Sequence, residues 1–289
     1  MAESAIDYLT VGHLAKDLTP AGPQLGGTVS FSSLTARALG YTPGILTAFG
    51  DELELIRPLA GIPLVRVPSA DSATFENIYG PKGRTQFKRA EAAPLPLSAV
   101  PPAWRSARIV HLAPLGSELG ELEPGALDIF SQSFIGITPQ GFLRQIDAAG
   151  RVRTVPDSWA GAERVLSQAQ AAVLSLDDLA GDWAAAERWS KWAPVLVVTQ
   201  SAEGCTVFVR GQGARQFLAP VQPEVDPTGA GDVFAAAFFI NLFETEDPWA
   251  SARFANQVAA LSVTRPGLQG VPEPEEVSYC RVRAEQAGT

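Results

Sequence analysis

The sequence predicts an α/β fold in which helices cover both faces of a mostly parallel sheet. Short apolar runs recur along the chain, and Ala-rich amphipathic stretches lie between them. The runs are too short for typical helices and indicate buried strands. Because strands and helices alternate, they are expected to form βαβ units, and such sheets bind ligands beyond the carboxyl ends of their strands.

This pattern places strands and helices in chain order. Strands are predicted over 6–11, 44–49, 107–113, 133–138, 171–176 and 194–199. Helices are predicted over 28–39, ended by Gly40; over 158–169, begun by Ser158; over 181–192; and from Val233 to about Phe243. The segment after Pro266 is expected to be surface structure with a loose end.

Residues 75–89 interrupt the alternation. FENIY (75–79) and RTQFKR (84–89) have strand character and flank Gly-Pro-Lys-Gly at 80–83, which predicts a β-hairpin. The hairpin is either a small flap outside the main sheet or an ordinary edge hairpin. The length of 289 residues fits one layered domain with such an appendage as well as it fits two equal domains.

Composition and charge exclude several classes of function. With 46% hydrophobic and 18% charged residues, the chain has the composition of a globular protein with a sizeable core. A formal net charge of −9 argues against a broad surface for nucleic acid or anionic membranes. Cys205 and Cys280 lack a CxxC or His partner, so two reduced thiols are expected. We recognise no leader or membrane-spanning run and expect a soluble, cytoplasmic protein.

The most informative segment is EVDPTGAGDVFAAAFFINLF (224–243), in which a Gly-rich turn leads into an apolar helix. Gly229 and Gly231 permit backbone angles that direct successive N–H groups into one concavity. The positive end of the helix dipole lies at the same place, so a phosphate fits there. The carboxylate of Asp232 either caps free N–H groups or faces the pocket as a general base.

DPTGAGDVFAAAFF resembles the second signature of the ribokinase or PfkB carbohydrate kinases, in which Gly-Ala-Gly-Asp precedes a helix. The order of the two residues before Gly229 departs from the commonest one. The resemblance implies one ribokinase-like α/β domain over 1–289, with a small β lid formed by segments of approximately 12–25 and 73–90. It also implies that the amides of Gly229, Ala230, Gly231 and Asp232 form an anion hole and that Asp232 is the catalytic base.

Two further segments resemble the family's acceptor site. VGHLAKDL (11–18) is similar to the first strand, and Asp17 matches a carboxylate that accepts hydrogen bonds from substrate hydroxyls, although a surface Asp in a turn is the alternative. LGGTVSFSSLTARALG (25–40) resembles the first signature, in which Gly26 and Gly27 let the backbone approach the sugar. Phe31 stands where many members have a substrate-binding Asn, which argues against an ordinary ribose or fructose acceptor. Arg144 is a weaker candidate, for pairing with the transferred phosphate.

The donor site is expected in the second half of the chain. VVTQSAEG (197–204) resembles the strand and loop that touch the nucleotide phosphates, with Thr199, Ser201 and Gly204 at the matching positions. ARFANQVAALSVTRPG (252–267) resembles the helix beside the adenine, with Asn256 as its polar contact. The alternatives are an ordinary strand and turn for the first segment and a surface-facing Asn for the second.

The metal site departs from the family's pattern. Members commonly carry Asn-x-x-Glu at the end of a strand, where it organises Mg2+, whereas this chain has Ser-Leu-Asp-Asp at 175–178. Only an acidic function remains, which we assign to Asp178, and the alternative is that these acids begin the next helix. Mg2+ often needs one or two carboxylates plus the phosphates of the nucleotide. A monovalent cation such as K+ near Asp226 is a further hypothesis.

The resemblance therefore implies an ATP-dependent kinase that phosphorylates a hydroxyl of a small sugar or polyol, close to the inositol-kinase-like branch. One alternative is a nucleoside kinase of the same fold, in which Phe31 or Phe75 stacks on the base. Another is a relative that binds nucleotide or sugar without turnover. His13 and His111 are expected to be structural. A homodimer formed through the lid is a further hypothesis, since it would cover unpaired strand edges.

Overall fold

The computed structural model describes residues 5–51, 54–80 and 83–286. In these ranges the strands are β1 (Tyr8–Val11), β2 (Ala15–Thr19), β3 (Gly22–Gly26), β4 (Pro43–Phe49), β5 (Leu64–Pro68), β6 (Ala73–Gly80), β7 (Gly83–Ala90), β8 (Ile109–Leu112), β9 (Phe134–Ile137), β10 (Arg144–Ile146), β11 (Val152–Thr154), β12 (Ala171–Ser175), β13 (Val195–Thr199), β14 (Cys205–Val209) and β15 (Gly213–Phe217). The helices are α1 (Thr28–Ala38), α2 (Ala162–Gln168), α3 (Trp183–Trp189), α4 (Ala230–Thr245), α5 (Pro248–Ser262) and α6 (Pro274–Gln286).

The large sheet has the strand order β15-β14-β13-β12-β9-β8-β1-β4-β5. The strands from β5 to β13 in this order pair in parallel, and β14 and β15 add an antiparallel edge. The chain leaves β1 toward β4 on one side and returns to β8 on the other, so the order reverses at β1. Ligands are expected near such a reversal, at the carboxyl ends of the strands.

Helices bury both faces of this sheet. The strands alternate their side chains between the two faces, and α2 and α3 contribute to the core on one face. On the opposite face α4, α5 and α6 form one core cluster and α1 contributes to the others. Helix α4 is buried along its whole middle, from Val233 to Leu242. This explains why its sequence is apolar on all sides.

A second, small sheet has the order β3-β2-β6-β7, and we call it the small sheet. Its strands come from the segments 15–26 and 73–90, which overlap the two segments predicted to form a lid. Strands β6 and β7 form the predicted antiparallel hairpin; residues 81 and 82 of its predicted turn lie outside the described residues. A bridge between Phe87 and Arg151 and a hydrogen bond from Lys88 N to Gly150 O (2.8 Å) join β7 to the β10–β11 hairpin.

The six predicted strands are confirmed, as are helices near 28–39, 181–192 and 233–243. Ser158 does not begin a helix: it ends a short 3-10 turn, its hydroxyl donates to Val155 O, and α2 starts after Gly161. Surface structure with a loose end was expected after Pro266, and residues 287–289 at that end lie outside the described residues. That region contains α6, which buries Val277, Cys280 and Ala284 against α5.

Two further expectations concern the cysteines and the membrane. Cys205 and Cys280 are free and buried, as expected for reduced thiols. Among the helices of the described ranges, none combines the length and the apolar character that crossing a bilayer requires.

Candidate active site

A polar cavity of about 190 Å³ lies beyond the carboxyl ends of β9, β12 and β13. Its polar side chains belong to Thr28, Thr138, Gln140, Ser175, Asp178, Thr199 and Asp232, and Gly229 and Gly231 add backbone. The fold thus brings together five residues that the sequence predicted on three separate segments: Asp178, Thr199, Gly229, Gly231 and Asp232.

The start of α4 forms the wall of the cavity. Gly229 is the N-cap and has φ +81, a left-handed conformation that favours glycine. A Cβ at this position would lie 2.2 Å from Cε1 of Phe31, so glycine is also required for space. The first-turn amides of a helix lack partners within the helix and are available to an anion. The amide of Ala230 is an exception, since it donates to Pro227 O at 3.2 Å.

Asp232 is half-buried and lines the cavity. Burial raises the pKa of its carboxyl from 3.8 to about 6, although the Thr28 hydroxyl and the Arg144 guanidinium act in the opposite direction. The carboxylates of Asp178 and Asp17 raise the pKa further. The N-cap of α4 is Gly229, and Asp232 lines the cavity, while its role as a base stays a prediction. An ionised carboxylate with a pKa near 6 is suited to accept a proton at neutral pH.

Asp178 is positioned by the end of β12. Its Oδ2 accepts from the amide and the hydroxyl of Ser175, at 2.9 and 2.6 Å. Within the described part of the chain, its Oδ1 receives one long contact, from Gln140 Nε2 at 3.4 Å, and the residue borders the cavity. Within the described ranges, three or more His, Cys, Asp or Glu side chains do not gather as a complete metal site. Asp178 is the predicted metal ligand that borders the cavity, and its role toward Mg2+ stays a prediction.

The small sheet carries the predicted acceptor residue Asp17. Asp17, Phe75 and Lys88 stand opposite one another on β2, β6 and β7 and therefore share one face. The carboxylate of Asp17 lies against the backbone of Gly26, where a Cβ would approach its Oδ2 to 1.9 Å. Gly27 has φ +89 and packs against the backbone of residues 13 and 15. The charge of Asp17 raises the pKa of Asp232, so the two carboxylates interact electrostatically.

Arg144 contacts the small sheet and interacts electrostatically with Asp232. Its Nη1 donates to Leu115 O at 2.9 Å, and its guanidinium carbon is 5.6 Å from the centre of the Phe75 ring. The same residue borders a second cavity of about 430 Å³. Its positive charge favours the ionised form of Asp232, which is the form a base requires.

Other predicted contacts have a packing role in the structure. Phe31 is 2% exposed, and its ring packs against Gly229 rather than lining the cavity. Asn256 is buried, and its Nδ2 donates to Phe217 O at 3.0 Å. Gly204 has φ +90, and a Cβ there would lie 2.0 Å from the same carbonyl oxygen. Ser201 is exposed in the turn after β13. Roles of these residues toward a ligand stay predictions.

Asp226 organises the loop before α4. Its Oδ1 accepts from Thr228 N at 2.9 Å and its Oδ2 from Gly267 N at 2.8 Å. Burial alone would raise its pKa, but the hydrogen bonds from Thr228 and Gly267 outweigh burial and hold the pKa below the ordinary value of 3.8. Both oxygens are thus engaged by the backbone, and a cation at this residue stays a prediction.

Sequence reasoning missed residues that the structure assembles around the site. Thr28 and Thr138 line the cavity, yet isolated threonines carry no motif. Glu118 is 3% exposed and accepts from the amides of Leu115 and Gly116 (both 2.7 Å) and His13 (3.2 Å). It thereby joins the loops that follow β1 and β8, a long-range role without a local sequence signal.

Residues 161–276 match the model of the pfkB family carbohydrate kinases. A stretch of 85 residues is 42% identical to the ribokinase of Bacillus subtilis (strain 168), and it covers 28% of this chain and 28% of that protein. A stretch of 84 residues is 32% identical to the ribokinase of Arabidopsis thaliana, over 28% of this chain and 22% of that protein. The predicted resemblance to the pfkB carbohydrate kinases is confirmed over part of the chain, which spans less than a third of the length of either ribokinase.

Solved structures described as ribokinases or as kinases in the ribokinase family share the fold over nearly the whole chain. A pyrophosphate-dependent kinase in the ribokinase family, solved as a sulfate complex, superposes with a TM-score of 0.77 at 21% identity and covers 94% of this chain and 99% of its own. A structure of such a kinase with a pyrophosphate analog and myo-inositol gives 0.77 at 20% identity, over 94% and 99%. The Arabidopsis thaliana ribokinase complexed with ribose and ATP gives 0.69 at 17% identity, over 96% and 99%. The predicted ribokinase-like fold is confirmed.

Proposed function

We propose that this protein is a carbohydrate kinase that transfers a phosphoryl group, in line, from ATP to a hydroxyl of a small sugar or polyol. In this proposal Asp232 accepts the hydroxyl proton, and the amides of Gly229, Gly231 and Asp232 stabilise the migrating group. Asp17 orients the acceptor. The small sheet closes over the reactants and excludes water, which would otherwise compete as an acceptor.

One observation carries the proposal: Asp232 is a half-buried acid whose pKa is raised to about 6, and it stands at the amino end of a buried helix inside a polar cavity. Desolvation makes the carboxylate a stronger base, while Arg144 keeps it ionised at neutral pH. The amides and the base lie on consecutive residues. The same turn can therefore bind the phosphoryl group through its amides and accept the hydroxyl proton through the carboxylate.

Mg2+ fits the donor side of the cavity. Asp178 would hold the ion through its Oδ1, which among the described residues receives the long contact from Gln140, and water and donor phosphates would be the remaining ligands. When bound, the ion would offset negative charge on the donor. The two carboxylate oxygens of Asp17 can accept hydrogen bonds from two hydroxyls of a polyol. Two structural relatives are described with myo-inositol or ribose bound.

The proposal is tested by incubating wild type and Asp232→Asn with Mg-ATP and a panel of polyols, sugars and nucleosides, and measuring ADP release. We expect turnover with at least one acceptor in wild type. The Asn variant should lose it by about a hundredfold or more while still binding nucleotide. Asp128→Asn, which changes an exposed acid far along the chain, is the matched control. Full activity in Asp232→Asn would exclude its role as the base.

Pyrophosphate is the second candidate for the donor. Two of the structural relatives above are described as pyrophosphate-dependent kinases or complexes with a pyrophosphate analog. The cavity at the proposed anion hole is small and polar. The side-chain amide of Asn256, which was predicted to contact adenine, donates its hydrogen bond to a backbone carbonyl oxygen instead. Replacing ATP by pyrophosphate in the same assay, with release of orthophosphate as the readout, decides between the donors.

The nucleoside alternative receives no support from the rings that were expected to stack on a base. Phe31 packs beneath Gly229, and Phe75 is 3% exposed with the Arg144 guanidinium near its face. The alternative of a binding protein without turnover is answered by the same assay. Tight binding of one acceptor without any turnover would favour it.

A further inference from the structure

A file of hydrogen bonds connects the middle of the sheet with the cavity. Tyr8 lies on β1, His111 on β8, and Thr138 directly follows β9. The Tyr8 hydroxyl is 3.0 Å from Nδ1 of His111, and Nε2 of His111 is 3.0 Å from Oγ1 of Thr138. Tyr8 and His111 are fully buried, whereas Thr138 is 8% exposed and borders the cavity.

Burial fixes the direction of the first hydrogen bond. Within the described part of the chain, Nδ1 of His111 is the acceptor available to the Tyr8 hydroxyl. If Nδ1 carried the proton, it would donate to the Tyr8 oxygen and leave the phenolic O–H buried without an acceptor, which is costly. Nδ1 must therefore accept, and the ring proton resides on Nε2.

The same burial keeps this arrangement unchanged over the working pH range. Desolvation holds the pKa of Tyr8 well above its ordinary value, so the phenol stays protonated. Desolvation lowers the pKa of His111 to about 3, so the ring stays neutral and retains one donor and one acceptor. Edge contacts with Tyr8 and with Phe239, at 5.0 Å between ring centres, hold the imidazole in place.

The direction of the second bond follows from the first. Nε2–H donates to Oγ1 of Thr138, so the hydroxyl hydrogen of Thr138 must point elsewhere, and the cavity borders this side chain. We propose that Tyr8 and His111 are positioning residues that make Thr138 a hydrogen-bond donor to an oxygen atom of the ligand bound in the cavity. The inference rests on the proposed function, since it assumes that the cavity holds the reactants.

The ligand oxygen has two sources with the same chemistry: a phosphoryl oxygen of the donor and a hydroxyl oxygen of the acceptor. Both accept a hydrogen bond from Thr138. The relay favours an oxygen that offers a lone pair, because the Thr138 hydroxyl already receives one hydrogen bond from His111 and is left to donate.

The tautomer is tested directly by 15N NMR of the imidazoles in the intact protein. The chain has two His residues, and Tyr8→Phe, which perturbs the environment of Nδ1 of His111, identifies the signals of that ring. We expect a protonated Nε2 and an unprotonated Nδ1 at neutral pH, without any ligand or turnover. A protonated Nδ1 would overturn the proposal, whatever the enzymatic activity proves to be.

The hydroxyl of Thr138 is tested by calorimetric binding of pyrophosphate, Mg-ATP and myo-inositol to Thr138→Val and Thr138→Ser. Loss of one hydrogen bond should weaken binding of one ligand class by about tenfold in the Val variant and little in the Ser variant. A loss for the phosphates assigns the oxygen to the donor, and a loss for myo-inositol assigns it to the acceptor. Thr35→Val, on α1 with its hydroxyl bonded to Phe31 O, is the matched control.

His111 itself is tested by rescue. Gln at this position offers an acceptor to Tyr8 and a donor to Thr138, whereas Leu offers neither. We expect His111→Gln to retain affinity that His111→Leu loses, with the loss confined to the ligand class affected by Thr138→Val. Equal affinity of wild type and Thr138→Val for all three probes would contradict the proposal. So would equal losses in the Gln and Leu variants.

Discussion

Replacing Asp232 by Asn is expected to stabilise the folded protein at neutral pH while it removes the proposed base. Burial moves the pKa of this carboxyl from 3.8 to about 6, and each pKa unit corresponds to about 1.4 kcal/mol. The ionised carboxylate therefore destabilises the fold by about 3 kcal/mol at most. Because the side chain is half-buried and solvent screens its charge, we expect about 1 to 3 kcal/mol.

The sign of the pH dependence follows from the raised pKa. A group whose pKa is higher in the folded state contributes stability that is complete below its ordinary pKa and is lost as the pH rises through the folded value. For Asp232 this loss falls between about pH 4 and pH 6. Asn does not ionise, so this loss of stability does not occur in the variant. The free energy of unfolding of the variant therefore rises relative to that of wild type across this interval.

Urea titrations of both proteins between about pH 4 and pH 8 measure this difference. The free energy of unfolding of Asp232→Asn should exceed that of wild type at pH 8, and the gap should close toward pH 4. Asp226→Asn is the control of opposite sign. The pKa of Asp226 is held low by hydrogen bonds from Thr228 and Gly267, so its stabilisation is present above the ordinary pKa and the variant should be less stable there. A gap for Asp232→Asn that is absent at pH 8, or equal at all pH values, would refute the reasoning.

Three further predictions concern the same region. The plot of kcat/KM against pH should fall on the acid side near pH 6, and Arg144→Met should move this fall to higher pH, because the guanidinium lowers the pKa of Asp232. Gly229→Ala should lose about 2 kcal/mol or more of stability in urea titrations, because the left-handed backbone and the 2.2 Å approach to an aromatic ring exclude a Cβ. Gly231→Ala, with open space at Cβ, should fold normally. Glu118→Gln should lose about 1 to 3 kcal/mol by the same measurement, because its carboxylate accepts three backbone amides.

The local pattern of the sequence was sufficient for the central sheet. Each predicted strand is a short apolar run that is buried on both faces. Because a continuous apolar run is typical of a strand covered on both faces, its residues alone indicate the burial. The strands that escaped prediction have exposed residues or irregular composition, as in β15, where the first four residues are exposed. The small sheet was only half predicted, because β2 and β3 carry Gly, Pro and charged residues; β2 acquires strand structure by pairing with β6, and β3 by pairing with β2.

The residues of the candidate site likewise fall into those that the local sequence predicts and those that it does not. The Gly-Ala-Gly-Asp turn at the start of α4 was predictable because it depends on backbone angles and on adjacent residues, which a sequence displays directly. Thr28, Thr138 and Glu118 were not, since their partners are distant in the chain. The outcome for Phe31 shows the converse: its position in a motif suggested contact with the acceptor, yet the packing of α1 against α4 places its ring beneath Gly229.

By itself, then, the amino-acid sequence determined the class of fold and the Gly-rich turn that begins α4 with an acid beside it, because these depend on neighbouring residues and on apolar periodicity. The tertiary structure alone decided how that acid titrates, which hydroxyls surround it and which nitrogen of His111 bears the proton. Those properties arise from desolvation and from hydrogen bonds between residues far apart in the chain, and both exist only after the helices have closed over the sheet.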